Sequence, residues 1–256
     1  MHQLLALVPL PQLAAAFAVT FFAGFVKGSV GFAMPLIMVS GLTLFLDPLL
    51  VIAGIIFPIV VSNGLQVARF GAAEAMSAIR EHRRYIIIVC VMILVSAQFL
   101  RIIPQQAMYL VLGIPVVGLT IIQIAGFRFR VAPERRVAVE WGVGLVSGTL
   151  GGLAGTWGPT TVLYLLALDT PKARQIVVQG VVYGLGAVTL LVAHLQSGIL
   201  NWSTAPFSAL LLVPAALGMF AGFRMSDRIA QDTFRKATLW VLLLAGLNLL
   251  RRGIMG

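Results

Sequence analysis

The same glycine and proline spacing occurs twice in the chain, and each copy lies inside a long apolar stretch. The copies are 124 residues apart and align without a gap. The shared positions are Gly24, Gly28, Gly31 and Pro35 in the first copy and Gly148, Gly152, Gly155 and Pro159 in the second. Glycine is costly within a helix and proline removes a backbone donor, so each copy predicts a helix break. In a bilayer, such breaks occur only where protein buries them or where they line a polar cavity. The alternative is close helix packing through small residues.

The composition predicts an integral membrane protein. Apolar residues form 60% of the chain and charged residues only 10%, whereas a soluble domain has about 25% charged residues. The net charge of +10 would suit nucleic acid, but the 18 basic residues lie mostly between apolar runs and form no single patch. Cys90 is the only cysteine, which excludes a disulfide within one chain.

Eight apolar segments follow one another along the sequence. They cover roughly residues 12–46, 48–68, 85–100, 107–125, 140–168, 176–195, 206–223 and 237–250. The first and fifth are too long for one crossing, which needs about 20 residues, and both contain the glycine pattern. Each is therefore predicted to be a hairpin of two short helices that returns to the side it entered from.

These segments predict an all-α polytopic membrane protein with a single domain over residues 1–256. The domain contains two repeats of about 124 residues, one over residues 10–126 and the other over residues 138–252. Each repeat has a broken-helix hairpin and three spanning helices. Because each half then crosses an odd number of times, the two repeats are expected to be inverted relative to each other.

The basic residues favour this topology over eight plain crossings. With hairpins, 14 basic loop residues fall on one side and 3 on the other, whereas plain crossings divide them 10 to 7. Cytoplasmic loops are enriched in lysine and arginine, so the hairpin topology predicts both termini outside. Eight plain crossings stay the alternative, because segment ends read from sequence are accurate only to several residues.

Lys27 is a cation within the first glycine cluster, with apolar sequence on both sides. A charge at that depth is costly unless it is paired or hydrated. One interpretation is that the ammonium snorkels to the interface from a shallow hairpin tip. The other is that it faces an anionic substrate.

A helix is expected to restart after each break, with Ser29 as a cap before Pro35 and with Thr156 or Gly158 as a cap before Pro159. A helix N-terminus carries free NH groups and a partial positive charge, which suits an anion. Two such termini that meet near the middle of the membrane would form a site for a small anion.

The two copies differ in the side chains that would surround this site. Lys27 corresponds to Gly151, and Ala33 corresponds to Trp157, so one half supplies a cation and the other an aromatic wall. His194 is a candidate proton relay or an ordinary interfacial residue. The predicted substrate-binding residues are Lys27, Gly28, Ser29, Gly31, Asn63, Gln66, Gly152, Gly155, Thr156, Trp157 and Gln179.

The two runs from Gly24 to Pro35 and from Gly148 to Pro159, with the leucine-rich helix before Arg251, resemble the sulfite exporter TauE/SafE family. The resemblance covers nearly the whole chain. It implies a membrane transporter of small anions, typically sulfite, sulfonates or related sulfur-containing organic acids. The family pattern has several consecutive glycines after the first cluster, whereas this chain has Phe32, Ala33 and Met34, which affects the width of the pocket.

No enzyme motif accompanies these features. The sequence contains no HExxH, GxSxG or Walker-type loop and no carboxylate pair within a span. We therefore expect a secondary transporter, most simply an exporter in the cell inner membrane, that uses no cofactor and no metal. The expected partners are the small anionic substrate, the lipid bilayer and, as one arrangement, a second copy in a homodimer, but no nucleic acid. An anion channel and a membrane anchor or assembly subunit are the alternatives.

Overall fold

Ten α-helices make up most of the part of the chain that the structure describes. The computed structural model describes residues 8–99, 104–125, 130–155 and 157–255. Within these residues the helices are α1 Leu10–Val30, α2 Met34–Leu42, α3 Pro48–Phe70, α4 Ala72–Ala97, α5 Gln105–Ile124, α6 Arg136–Ala154, α7 Gly158–Ala167, α8 Lys172–Gln196, α9 Ala205–Ser226 and α10 Gln231–Met255. The described parts of α1, α3, α8, α9 and α10 are long and apolar enough to cross a membrane. The predicted all-α, multi-pass class is confirmed.

The helices of the two halves correspond in order and in packing. Each half begins with a long helix followed by a short one, and the short helices α2 and α7 have 9 and 10 residues. Helices α1 and α9 pack against each other, and so do their counterparts α6 and α4. Helices α4 and α8 form another pair, which corresponds to the pair of α9 and α3. Helix α3 also packs against its own counterpart, α8. Exchanging the halves turns each of these pairs into another pair or into itself. The inversion of the halves across a bilayer stays a prediction.

Both helix breaks lie at the glycines that the sequence indicated. Helix α1 ends at Gly31 with φ 89°, and α6 ends at Gly155 with φ 63°, both in the left-handed region that glycine adopts without steric cost. The prediction of two short helices in each hairpin was wrong for the first arm, since α1 has 21 residues and α6 has 19. Helix α4 also begins at Ala72, well before the predicted segment, and bends at His82.

The remaining glycines of the repeated pattern bring helices into backbone contact. A β-carbon added to any of four glycines on α1 and α9 would collide with the backbone of the opposite helix. These glycines are Gly24, Gly28, Gly218 and Gly222. In the second half, Gly148 and Gly152 approach α4 equally closely. The packing interpretation is therefore correct for these positions, and the break is left to Gly31 and Gly155.

Ion pairs bring together helix ends that eight plain crossings would place on opposite sides of a membrane. Arg69 at the end of α3 pairs with Asp227 after α9. Arg174 at the start of α8 binds Glu81, which directly precedes the bend of α4 at His82, at 2.6 Å. In the plain arrangement, Arg69 and Glu81 would lie on one face, and Asp227 and Arg174 on the other. These contacts support the hairpin topology.

We expect cysteine labelling to place the loop before α6 and the loop before α9 on opposite faces of the membrane. Glu134→Cys and Ser203→Cys are suitable positions because both residues are exposed, and a Cys90→Ala background removes the native thiol. An impermeant maleimide added to sealed vesicles should label one variant, and it should label the other only after permeabilisation. Labelling of both from the same face would contradict the hairpin topology and support eight plain crossings.

We also expect Gly222→Leu to destabilise the protein by about 1–3 kcal/mol, because the new side chain meets the backbone of α1 around Phe25 and Gly28. The measurement is the thermal midpoint of the purified protein. Gly64→Leu is the matched control, since a β-carbon there has nothing within 4 Å. Equal midpoints for the two variants would show that the α1–α9 contact does not need glycine.

Candidate functional site

A small cavity lies between the two helix breaks. Its volume is about 20 Å³, enough for roughly one water molecule. Residues of both breaks and of the crossing helices α3 and α8 line it, including Lys27, Phe32, Ala33, Pro35, Leu36, Ile59, Asn63, Gly155, Trp157, Gly158, Pro159 and Tyr183. The cavity therefore brings together segments that are more than 100 residues apart in sequence.

Lys27 carries the only ammonium among the residues that line this cavity. Its side chain is 2% exposed, so the interpretation that it snorkels to the interface was wrong. The Nζ atom donates a hydrogen bond to Asn63 Oδ1 at 2.5 Å and lies 5.5 Å from the centre of the Tyr183 ring. No carboxylate within the described ranges forms an ion pair with Lys27. The ammonium is thus held by a neutral amide and a ring, with no counterion in this part of the protein.

Both short helices begin at the cavity wall. Ala33 precedes α2 and Trp157 precedes α7, and neither helix start has a side-chain cap. The first backbone NH groups of a helix have no partner within it, so each start carries a partial positive charge. Ala33 has φ 75°, a conformation that costs about 1–3 kcal/mol for a residue with a side chain.

Three amide side chains gather at the first break. Gln179 of α8 lies next to Gly31, and its Nε2 and Oε1 atoms make no hydrogen bond with the described residues. Gln66 of α3 donates to the carbonyl oxygen of Ile176 at 2.7 Å, but its Oε1 is also unpaired there. The Nδ2 of Asn63 is likewise free of a described partner. Buried amides without partners cost about 1–3 kcal/mol each, so the first break offers unpaired polar groups to a polar ligand. Of the three amides, only Asn63 lines the cavity itself.

The second break has apolar neighbours in the corresponding positions. A β-carbon added to Gly31 would contact the polar side chains of Gln179 and Gln66. A β-carbon added to Gly155 would instead contact the apolar side chains of Ile55 and Leu190. The offset of 124 residues maps Ile55 onto Gln179 and Gln66 onto Leu190. The two ends of the site therefore have equivalent backbones and opposite polarity.

The Trp157 ring occupies the space beside Gly151, the position that corresponds to Lys27. It also packs against Gly186 of α8 and meets the Tyr183 ring edge-on, with 6.4 Å between the ring centres. The predicted asymmetry, with a cation from one half and an aromatic wall from the other, agrees with this geometry.

Among the described residues, the site combines an ammonium, amides and aromatic rings, which are groups suited to binding an anion. A family model of the sulfite exporter TauE/SafE matches residues 16–249. The chain belongs to this family. Searches of curated proteins and of solved structures found no match. Members of the TauE/SafE family are membrane transporters, which agrees with the apolar spans of the fold.

Several residues predicted to bind the substrate lie elsewhere in this TauE/SafE protein. Gly28 faces the backbone of α9, and Gly152 faces α4. Ser29 lies inside α1, where its hydroxyl donates to the carbonyl oxygen of Phe25 at 2.9 Å, so it does not cap α2. The prediction for these three residues is corrected, because their helices continue or pack where a break was expected. Thr156 lies outside the described residues.

His194 is buried in the last turn of α8 and does not line the cavity. It lies 11 residues after Tyr183, the cavity residue of the same helix, which corresponds to roughly 16 Å along a helix. Its Nδ1 lies 3.4 Å from the Ser197 hydroxyl. The structure therefore gives His194 no direct contact with the cavity of this TauE/SafE protein.

Tyr183 is a cavity residue that the sequence reasoning missed. It follows Gln179 by four residues on α8, and this spacing places both on one helix face. Its hydroxyl donates to the carbonyl oxygen of Gly158 at 3.0 Å. Tyr183 thus has its ring beside Lys27 and its hydroxyl bound to the start of α7.

A polar network that was also missed holds α7 in place. Buried Glu140 of α6 accepts hydrogen bonds from Arg136 at 3.0 Å and from the Tyr164 hydroxyl at 3.1 Å. The Tyr85 hydroxyl lies 2.8 Å from the hydroxyls of both Ser147 and Thr161. In the sequence, only the position of Glu140 at the start of an apolar segment indicated this network.

We expect Gln179→Leu to raise the stability of the ligand-free protein, because it removes two buried polar atoms without described partners. The same change should reduce the stabilisation by an anionic ligand, since the amide can no longer donate. Thermal midpoints with and without sulfite or a short alkanesulfonate measure both effects. Gln196→Leu, exposed on the same helix, is the control. A lower midpoint without ligand, or unchanged stabilisation by both anions, would contradict a ligand-binding role.

Proposed function

We propose that this protein is a secondary transporter that exports a small sulfur-containing anion, such as sulfite, a sulfonate or a related organic acid, across the cell inner membrane. The anion binds between the starts of α2 and α7, near the middle of the membrane. Lys27 supplies the charge, and the amides of Asn63, Gln66 and Gln179 supply hydrogen bonds. The membership in the TauE/SafE family supports the substrate class.

The observation that carries the proposal is the buried ammonium of Lys27 without a described carboxylate partner. A charged ammonium in an apolar interior costs several kcal/mol unless another charge or water offsets it. The nearest polar atom belongs to a neutral amide, which offsets only part of this cost. An anion in the cavity would balance the ammonium and accept from the free amide hydrogens at the same time.

The polarity of the site indicates how the anion is oriented. Its oxygens point to Lys27 and to the amides at the first break, where donors are available. The sulfur atom or a short carbon chain then faces Trp157 and the apolar neighbours of Gly155. A substrate with one charged end and one less polar end fits both walls.

The cavity of about 20 Å³ has room for roughly one water molecule, so it must widen to admit an anion larger than water. Phe32 and Trp157 line the cavity, and movement of these rings with α2 and α7 would admit the anion. Alternating access then follows if the two broken-helix units rock against the crossing helices α3 and α8.

An anion channel could use the same helix starts and the same lysine, and flux measurements distinguish the two. In proteoliposomes, a transporter should show sulfite flux that saturates at low turnover and responds to an imposed proton gradient. Flux that rises linearly with sulfite concentration would support a channel. A membrane anchor or assembly subunit would show no flux of either kind.

We expect Lys27→Met to weaken anion binding by about 1.5–3 kcal/mol, the range for hydrogen bonds to charged groups, or roughly tenfold to 150-fold in affinity. Lys27→Arg should restore only part of the affinity, because the planar guanidinium is larger and directs its donors differently. Titration calorimetry with sulfite and with a short alkanesulfonate is the measurement. Lys236→Met removes an exposed lysine and is the control. Unchanged affinity in Lys27→Met would remove Lys27 from the site.

A further inference from the structure

A second basic pocket lies at the end of α10, away from the central cavity. Its volume is about 350 Å³, which is large enough for a phosphate group with its ester substituents. The end of α2, the start of α3 and the end of α10 surround it, and its lining residues are Thr43, Leu44, Pro48, Tyr109, Arg251, Arg252 and Met255.

Arg252 is held in place by neutral groups. Its guanidinium donates to the Thr43 hydroxyl and to the carbonyl oxygen of Ser40, and it lies 5.8 Å from the centre of the Tyr109 ring. Its Nε atom is buried without a hydrogen-bond partner in the described structure. Arg251 is exposed and donates to Asn248 Oδ1 at 3.1 Å. The two guanidinium groups are therefore positioned, and both retain unused donors.

The charges of this pocket are not compensated within the described chain. On the face that carries most basic residues, Arg69, Arg136 and Arg174 each pair with a carboxylate. No carboxylate in the described ranges forms an ion pair with Arg251 or Arg252. The pocket thus has two positive charges available for an anionic partner.

An apolar groove continues from this pocket along the outside of the helices. Its volume is about 550 Å³, and α1, α2 and α10 form its walls. Leu44 lines both the groove and the basic pocket. Phe22, Leu44 and Leu244 in the groove are all more than half exposed. A ligand that fills both spaces has an anionic head and a hydrocarbon chain.

We propose that this composite site binds an anionic phospholipid, with its phosphate at Arg251 and Arg252 and an acyl chain in the groove between α1, α2 and α10. A soluble anion would satisfy the arginines but leave the apolar groove without a partner. A zwitterionic lipid would bring its own positive charge close to the two arginines. The anionic lipid alone matches both the charge and the groove.

A lipid bound in the groove contacts a helix that also lines the central cavity. Leu36 of α2 lines both the groove and the central cavity. Arg252 binds the other end of α2. A lipid in the groove therefore packs along the short helix whose start faces the transported anion, and it stabilises that helix in its present position.

The test uses the full-length protein after removal of lipid in detergent. Phosphatidylglycerol and phosphatidylcholine with the same acyl chains are added separately, and glycerol phosphate tests the head group alone. Native mass spectrometry counts bound lipid, and the thermal midpoint measures stabilisation. We expect phosphatidylglycerol to bind and to raise the midpoint by several degrees, with little effect from the other two additives.

Two variants locate the site. Arg251→Gln should weaken phosphatidylglycerol binding about fivefold to tenfold, and Leu244→Gln should weaken it by making the groove polar. Arg251 and Leu244 are exposed, so both variants should fold. Arg252→Gln is less suitable because it also releases α2. Arg228→Gln, an exposed arginine near the end of α9, is the control and should bind normally.

Three outcomes would overturn the proposal. Equal binding of phosphatidylcholine would show that charge does not select the lipid. Equal stabilisation by glycerol phosphate would indicate a site for a soluble anion. Normal phosphatidylglycerol binding in both Arg251→Gln and Leu244→Gln would place the lipid elsewhere.

Discussion

The interruption of α1 and α6 inside the protein is the constraint on which the other features depend. A helix that ends within a bilayer leaves backbone NH and carbonyl groups without water, so protein groups or a ligand must satisfy them. Gly31 and Gly155 supply the left-handed backbone, and the crossing of α3 and α8 covers both breaks. The polar interior of this protein exists because these two helices stop where others continue.

The same glycine clusters meet a second requirement. An interrupted helix loses internal hydrogen bonds, and it needs close neighbours to stay in place. The glycines before each break let the backbones of α1 and α9, and of α6 and α4, approach closely. Van der Waals contact is a main source of helix association where lipid removes the hydrophobic driving force. Packing and breaking are thus consecutive parts of one motif rather than competing explanations of it.

The two halves have the same arrangement of helices, but different kinds of side chain surround their two breaks. Around the first break lie a buried ammonium and three amides, whereas around the second lie a tryptophan and aliphatic side chains. Identical polar halves would have brought two ammonium groups into one small cavity, where they would repel each other strongly. The second half has Gly151, covered by Trp157, at the position of Lys27, so the residues that line the cavity include a single ammonium.

The sequence alone determined the membrane class and the two breaks and singled out Lys27, because apolar length, glycine spacing and an isolated charge are local properties. It also indicated Asn63, Gln66, Gln179 and Trp157. It could not separate Gly28 from Gly31, since only the packed neighbours show which glycine meets a helix and which ends one. Tyr183, the network around Glu140 and the distance of His194 from the cavity were decided by tertiary structure, because contacts across many residues depend on how the helices cross.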